Sequence, residues 1–151
     1  MANVYLSAQL PDKAETLLTK AGLTVNRYTG TGLIDRDTLK SQLATADYLI
    51  TALSTQVDAD LINTAPRLKL IANYGAGFNN IDVATAKAKN IPVTNTPAVS
   101  TTSTAEVTIG LILSTMHRIA EGDRVMRTTG FSGWAPLFFL GHELSDKTVG
   151  I

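Results

Sequence analysis

The chain's 151 residues suit one domain of ordinary size, able to bury roughly 68–70% of its unfolded surface. With 44% hydrophobic and 17% charged residues, it has the balance of a folded globular protein rather than a disordered one. The 13 basic residues offset the 13 acidic ones without forming a Lys/Arg stripe, which argues against nucleic acid or an anionic membrane surface as partner. The absence of cysteine excludes disulfides, a thiol nucleophile and a thiolate metal site.

Taken in order, Val4 to Ser7 reads as a first strand and Pro11 to Ala21 as a helix. Its Ala14, Leu17, Leu18 and Ala21 fall at helical spacing, and Gly22 ends it. Thr24 to Tyr28 is a second strand, Asp35 to Ala44 a second helix with Leu39 and Leu43 on one face, and Tyr48 to Ala52 a third strand. A short helix over Asp58 to Thr64 is halted by Pro66. A strand beginning at Leu68, a helix over Val83 to Lys89 and a strand over Ile91 to Asn95 complete the alternation. Strands alternating with helices predict a parallel α/β sheet covered on both faces. Its ligand end lies where the strands' carboxyl ends emerge: Ser7-Ala8-Gln9, Leu53-Ser54, Tyr74 to Phe78 and Thr96 to Val99.

The stretch with most chemical content is LKLIANYGAGFNNID, Leu68 to Asp82. An apolar strand runs into a loop whose Gly75 and Gly77 let the backbone approach a ligand closely. Asn80 or Asp82 is placed to cap the following helix, and strand, loop and helix N-terminus together would make an anion-binding corner. A dinucleotide fingerprint needs GxGxxG, but the third glycine position holds Asn80. The following strand ends in Asn95, where a ribose-binding acid would be wanted. The loop therefore suits a small anion such as a carboxylate better than a pyrophosphate.

After Pro97 the character changes. Ser103-Thr104-Ala105-Glu106 has the form of a capping box, with a structural role for Glu106. The helix it opens is apolar nearly all round (Val107, Ile109, Leu111, Ile112, Leu113, Met116, Ile119) and is expected to be buried on several faces. Ala105 to Met116 falls short of the ~18 apolar residues of a membrane span. Arg118 reads as a partner for the helix's terminal carbonyls. Phe131 to Leu140, FSGWAPLFFL, has neither period and suits an arm covering a neighbour. His142 and Glu143 point to opposite sides of an extended chain, so they are not an acid/base pair. His117 has no role assigned. The amino-terminal MANVYLSAQLPDK lacks a basic, then apolar, leader, so a cytoplasmic location is expected. Thr148-Val149-Gly150-Ile151 reads as the start of a buried strand, so the chain is expected to be a fragment.

Four segments together resemble the D-isomer-specific 2-hydroxyacid dehydrogenases: LKLIANYGAGFNNIDVATAKAKNIPVTNTP, STTSTAEVTIGLILSTMHRI, the Trp134 arm and GHELSDKTVGI. The resemblance runs from about Val4 to the last residue and is most specific between Leu68 and Arg118. The typical loop reads G-(Y/V/F)-D-N-I-D, and Gly77 to Asp82 departs from it only in Asn79. The resemblance implies a flavodoxin-like doubly wound substrate domain over residues 1–99. Residues 100–151 would supply an interdomain and dimer helix, an aromatic arm and the first strand of a Rossmann cofactor domain.

It further implies that Gly75, Ala76 and Gly77 form the substrate loop, with the Ala76 and Gly77 amides holding the substrate carboxylate. Leu53 and Val99 would line the pocket, and Trp134 would reach a partner subunit's site. Ala76 and Thr104 would face the cofactor, NAD or NADP, held mainly by residues that this chain does not contain. The implied reaction is reduction of a 2-keto acid to a D-2-hydroxy acid in a homodimer. The family's arginine clamp and its histidine acid/base with a carboxylate match no residue here, so no catalytic residue is assigned and the chain alone is expected to be inactive. The competing reading is a stand-alone flavodoxin-like module that binds a small carboxylate. A receiver domain would need acids after the first and third strands, and a methyltransferase an acid at Asn95. The chain supplies neither.

Overall fold

The period-2 pattern of the first strand settles how the sheet is covered. In the computed structural model, which describes residues 1–150, β1 (Asn3–Leu6) directs Tyr5 into one apolar cluster and Val4 and Leu6 into another. Successive side chains of a strand point to opposite faces, so β1 is central and buried on both. It pairs in parallel with β2 (Thr24–Arg27) and with β3 (Tyr48–Ala52). The latter pairs with β4 (Leu70–Tyr74), and that with the short β5 (Val93–Thr94). The order β2-β1-β3-β4-β5 is that of a flavodoxin-like doubly wound sheet, as the sequence predicts.

One face carries α2 (Arg36–Leu43), α3 (Ala59–Asn63) and α4 (Val83–Ala88), which bring Leu39, Leu43, Leu61, Ile62 and Ala86 onto Leu49 and Ile71. Full burial of each of these leucines and isoleucines contributes about 1.5–3 kcal/mol. The other face carries α1 (Asp12–Lys20), whose Ala14 and Leu18 pack on Val4, Leu6 and Leu10. That layer is thinner, and Leu70 and Ala72 of β4 are only half-buried. Gly22, at φ +80°, closes α1: the N–H groups of Gly22 and Leu23 donate to the carbonyls of Thr19 and Leu18.

The chain divides into two compact units, the first ending at Val99 and the second beginning at Ser100. In the second, α5 (Thr101–Met116) and α6 (Ile119–Arg127) are followed by a chain without helix or strand. Several expectations are corrected here. The capping box at Ser103 does not form: the N-cap is Ser100, three residues earlier, with no side-chain cap, so Ser103 lies inside the first turn. No residue of α5 is buried, because within the second unit an all-round apolar helix of this length has too few neighbours to cover every side.

The Arg118 side chain does not reach the terminal carbonyls of α5, which receive only its backbone N–H, donated to the Thr115 carbonyl at 3.3 Å. The residue adopts the left-handed conformation (φ +55°, ψ +35°), which breaks one helix and starts α6, an element that the sequence does not announce. Phe139 also departs from the arm reading. It is packed within its own unit, with the Arg118 guanidinium 4.2 Å from its ring centroid. Thr148 to Gly150 form no strand, and Ile151 lies outside the described residues.

Candidate functional site

The loop after β4 is shaped by where its carbonyls go. The Gly75 carbonyl accepts from the Thr96 N–H at 2.9 Å, and the Ala76 carbonyl from Asn95 Nδ2 at 2.7 Å. The Gly77 carbonyl accepts from Asn73 Nδ2 at 2.6 Å. In a trans peptide the C=O and the following N–H point in opposite directions. Tying the carbonyls of Gly75 and Ala76 towards the end of β5 therefore turns the N–H groups of Ala76 and Gly77 away from it. Among the described residues neither N–H has a protein acceptor, and Ala76 and Gly77 are exposed. Two adjacent free donors are what a carboxylate needs for charge-assisted hydrogen bonds.

Leu53, on the loop after β3, covers this turn. A Cβ built on Gly75 would stand 2.5 Å from Leu53 Cγ, whereas one on Gly77 would meet only Leu53 Cδ2 at 3.9 Å. The two glycines thus do different work: Gly75 admits the leucine, and Gly77 leaves the space above the donors open. Neither has a positive φ. Leu53, Gly75, Ala76 and Gly77 are accordingly brought together. Val99, the last residue of the first unit, lies beyond β5 and is exposed.

Beneath the loops lies a polar core that residue type alone did not single out. Asn73 and Asn80 exchange side-chain amide hydrogen bonds at 3.1 and 3.2 Å, and both are buried. Asn80 Nδ2 also donates to the carbonyls of Ala52 and Thr55 at 3.2 and 3.0 Å. One side chain so fastens the β3 loop to the β4 loop. On the far side, Ser7 Oγ bonds to Thr51 Oγ1 at 3.2 Å and to Thr55 Oγ1 at 3.0 Å, and accepts from the Ala52 N–H at 3.3 Å. Buried polar groups must be paired, and a satisfied network of this kind fixes one geometry for the loop above it.

The helix contribution expected for an anion corner is absent. Asp82 caps α4 with its own carboxylate, which accepts from the Thr85 N–H at 2.8 Å, while Asn80 is occupied as described. The Asp82 N–H donates to the Val57 carbonyl. The positive end of α4 is therefore already neutralised by a residue of the chain. With the start of α4 capped by Asp82 and no glycine-rich helix start, these residues do not fit the pyrophosphate of a dinucleotide.

Thr104 and Trp134 belong to the second unit. Thr104 is exposed on α5, its N–H bonded to the Ser100 carbonyl and its own carbonyl accepting from Thr108 Oγ1. Trp134 is 83% exposed at the rim of a cavity of about 290 Å³ lined by Gly122, Val125, Met126, Phe131, Phe138 and Phe139. Phe138 stacks on Phe131 with centroids 5.8 Å apart and lies tilted against Phe139 at 5.9 Å. Among the described residues, no helix is long and apolar enough to cross a membrane.

The fold is that of a flavodoxin-like α/β domain, with the free Ala76 and Gly77 N–H groups at the carboxyl ends of its strands. The chain belongs to the D-isomer specific 2-hydroxyacid dehydrogenase family, whose catalytic-domain model matches residues 4–147. A Staphylococcus epidermidis protein named among the 2-hydroxyacid dehydrogenases is 58% identical over 151 residues, all of this chain and 47% of that protein. The chain spans about half the length of the curated relatives it matches. The crystal structure of the TT0316 protein of Thermus thermophilus is similar at a TM-score of 0.84 and 33% identity, over 94% of this chain and 45% of that one. The D-lactate dehydrogenase of Aquifex aeolicus, solved with NAD and lactic acid, is similar at a TM-score of 0.72 and 26% identity, over 93% of this chain and 41% of that one.

Proposed function

We propose that the first unit binds the carboxylate of a 2-keto acid in an NAD- or NADP-dependent D-2-hydroxyacid dehydrogenase of about twice this length. The observation that carries the reading is the pair of free N–H groups at Ala76 and Gly77, aimed by tied carbonyls and roofed by Leu53. Membership of the family and likeness to an enzyme solved with NAD and lactic acid support it. Leu53 and Val99 act as apolar walls and Gly75 provides room for the roof. Trp134 serves the site of a partner subunit in a homodimer, and Ala76 and Thr104 face the nicotinamide cofactor.

The cofactor supplies the hydride, and residues beyond these 151 hold it, since the loop of this chain does not fit its pyrophosphate. What this chain does for the reaction is bind and orient. Two charge-assisted hydrogen bonds, each about 1.5–3 kcal/mol, fix one end of the keto acid. Proton donation needs a group of matched pKa in reach of the carbonyl, and no residue of this chain is assigned that role. Residues 1–151 alone are therefore expected to be inactive.

The test compares the full-length protein with residues 1–151 in the reduction of a panel of 2-keto acids by NADH and NADPH. Turnover by the full-length protein alone is expected. Turnover by the short chain, or none by either, would overturn the reading.

A further inference from the structure

The orientation of the two free donors depends on a residue that contributes no atom to the ligand. Asn95 follows β5 and donates from Nδ2 to the Ala76 carbonyl at 2.7 Å. The next residue, Thr96, donates its backbone N–H to the Gly75 carbonyl at 2.9 Å. Consecutive peptide units are thus held by their carbonyls at the end of β5. The Ala76 carbonyl and the Gly77 N–H belong to one rigid plane, so whatever holds the first aims the second.

We propose that Asn95 is a positioning residue for carboxylate binding: its side-chain amide sets the rotation of the Ala76–Gly77 peptide so that the Gly77 N–H faces the ligand. The inference rests on the carboxylate reading of the loop given above. The bond is needed because little else restrains that plane. Gly77 has no Cβ, Ala76 has a single methyl, both are exposed, and a Cβ on Gly77 would meet only Leu53, at 3.9 Å. The Gly75 plane, by contrast, is held by a backbone bond that no side-chain substitution removes. The Gly77 carbonyl beyond is held by the buried Asn73. Of the three consecutive peptide units, the middle one alone depends on a side chain near the surface.

An amide is required for this. Aspartate has the same shape but only acceptor oxygens, so it would repel the Ala76 carbonyl and place a negative charge near the bound anion. Alanine would leave the plane free to rotate. Glutamine keeps the donor on a longer stem.

The experiment measures KM for pyruvate, kcat and the inhibition constant of propanoate in the full-length protein, for Asn95→Ala, Asn95→Asp and Asn95→Gln. Asn95→Ala is expected to raise both KM and the inhibition constant about tenfold, with kcat changed less than threefold and KM for the nicotinamide cofactor unchanged. Asn95→Asp should be worse than Asn95→Ala, and Asn95→Gln should recover at least half of the loss on a logarithmic scale. A lower melting temperature with unaltered KM and propanoate inhibition would assign Asn95 to loop stability only and overturn the proposal. Gly77→Val is measured alongside. If it raises KM while the Asn95 variants do not, the role of Asn95 falls and the carboxylate site stands. If neither has an effect, the site itself falls.

Discussion

Gly75 and Leu53 occupy one another's space: the leucine's Cγ, Cδ1 and Cδ2 lie 2.5, 2.7 and 2.6 Å from where a Cβ on residue 75 would sit. Contacts under 3 Å cannot be kept, so Gly75→Ala must displace Leu53, which is 49% exposed and free to rotate outward. The roof over the donor pair would then open. The expected result is a several-fold rise in KM for the keto acid and a small change in melting temperature. Leu53→Ala alone should produce a similar rise, and the double variant little more than either. Additive effects on log KM would separate the two residues and refute the pairing.

Gly77→Val makes a different prediction. The position has no positive φ and no close neighbour, so backbone strain is absent and stability should move by about 0.5 kcal/mol or less. The branched side chain nonetheless stands beside the free N–H of its own residue. KM for the keto acid is expected to rise tenfold or more with the denaturation midpoint nearly constant. A large loss of stability would show that the loop is packed more tightly than these contacts indicate.

Asp47 lies at the opposite end of the sheet and is expected to contribute to acid stability. It is buried, accepts from the Asn3 N–H at 2.9 Å and pairs with Arg67 and Lys69 at 3.1 and 3.2 Å. The Asn3 hydrogen bond first, then Lys69 and Arg67, lower its pKa to about 2. A folded pKa below the unfolded one means the unfolded chain binds the proton more readily. The stabilisation is therefore complete above the ordinary carboxylate range and is lost as pH falls from about 4 towards 2. Melting temperature measured across that window should fall more steeply in the wild type than in Asp47→Asn. Parallel curves would refute the assignment.

Arg118 tests the joint between α5 and α6. Its guanidinium binds Glu121 through Nε and Nη2 at 2.8 and 2.7 Å, donates to the Leu140 carbonyl at 3.2 Å and lies over the ring of Phe139. Its backbone is left-handed, which costs an ordinary residue roughly 1–2 kcal/mol and glycine almost nothing. Both Arg118→Ala and Arg118→Gly lose the side-chain contacts, but only alanine keeps the strain. Arg118→Gly is expected to have the higher denaturation midpoint of the two. The reverse order would show that the left-handed conformation does not persist in solution.

Trp134 is the sole tryptophan of these 151 residues and 83% exposed, so once any tryptophan outside them is replaced by phenylalanine its emission reports on the proposed homodimer. In the full-length protein at micromolar concentration its emission should be that of a buried indole, shifting to longer wavelength on dilution as sedimentation shows dissociation. Emission of a solvated indole at every concentration would leave Trp134 outside any interface.

Apolar runs, glycine positions and the alternation of helix with strand made the parallel sheet readable from the residues, because they depend on periodicity within a few neighbours. The loop at Gly75 to Gly77 was legible for the same reason, as was its unsuitability for a pyrophosphate: GxGxxG and a terminal acid are local features. What the tertiary structure decided depends on residues far apart in sequence. Asn80 could equally have capped the next helix, and only the arrival of Ala52 and Thr55 beside it made it a brace between two loops. Asn95 was visible only as the wrong residue for a ribose, until the fold set it 2.7 Å from the Ala76 carbonyl, 19 positions earlier in the chain. The capping box at Ser103 does not form, and α6 has no local signal of its own, because the real helix starts and stops at a turn at Ser100 and a left-handed Arg118 that composition does not encode. Periodicity chooses the elements. The direction in which a loop's N–H groups point is chosen by the partners that the folded sheet brings to its carbonyls.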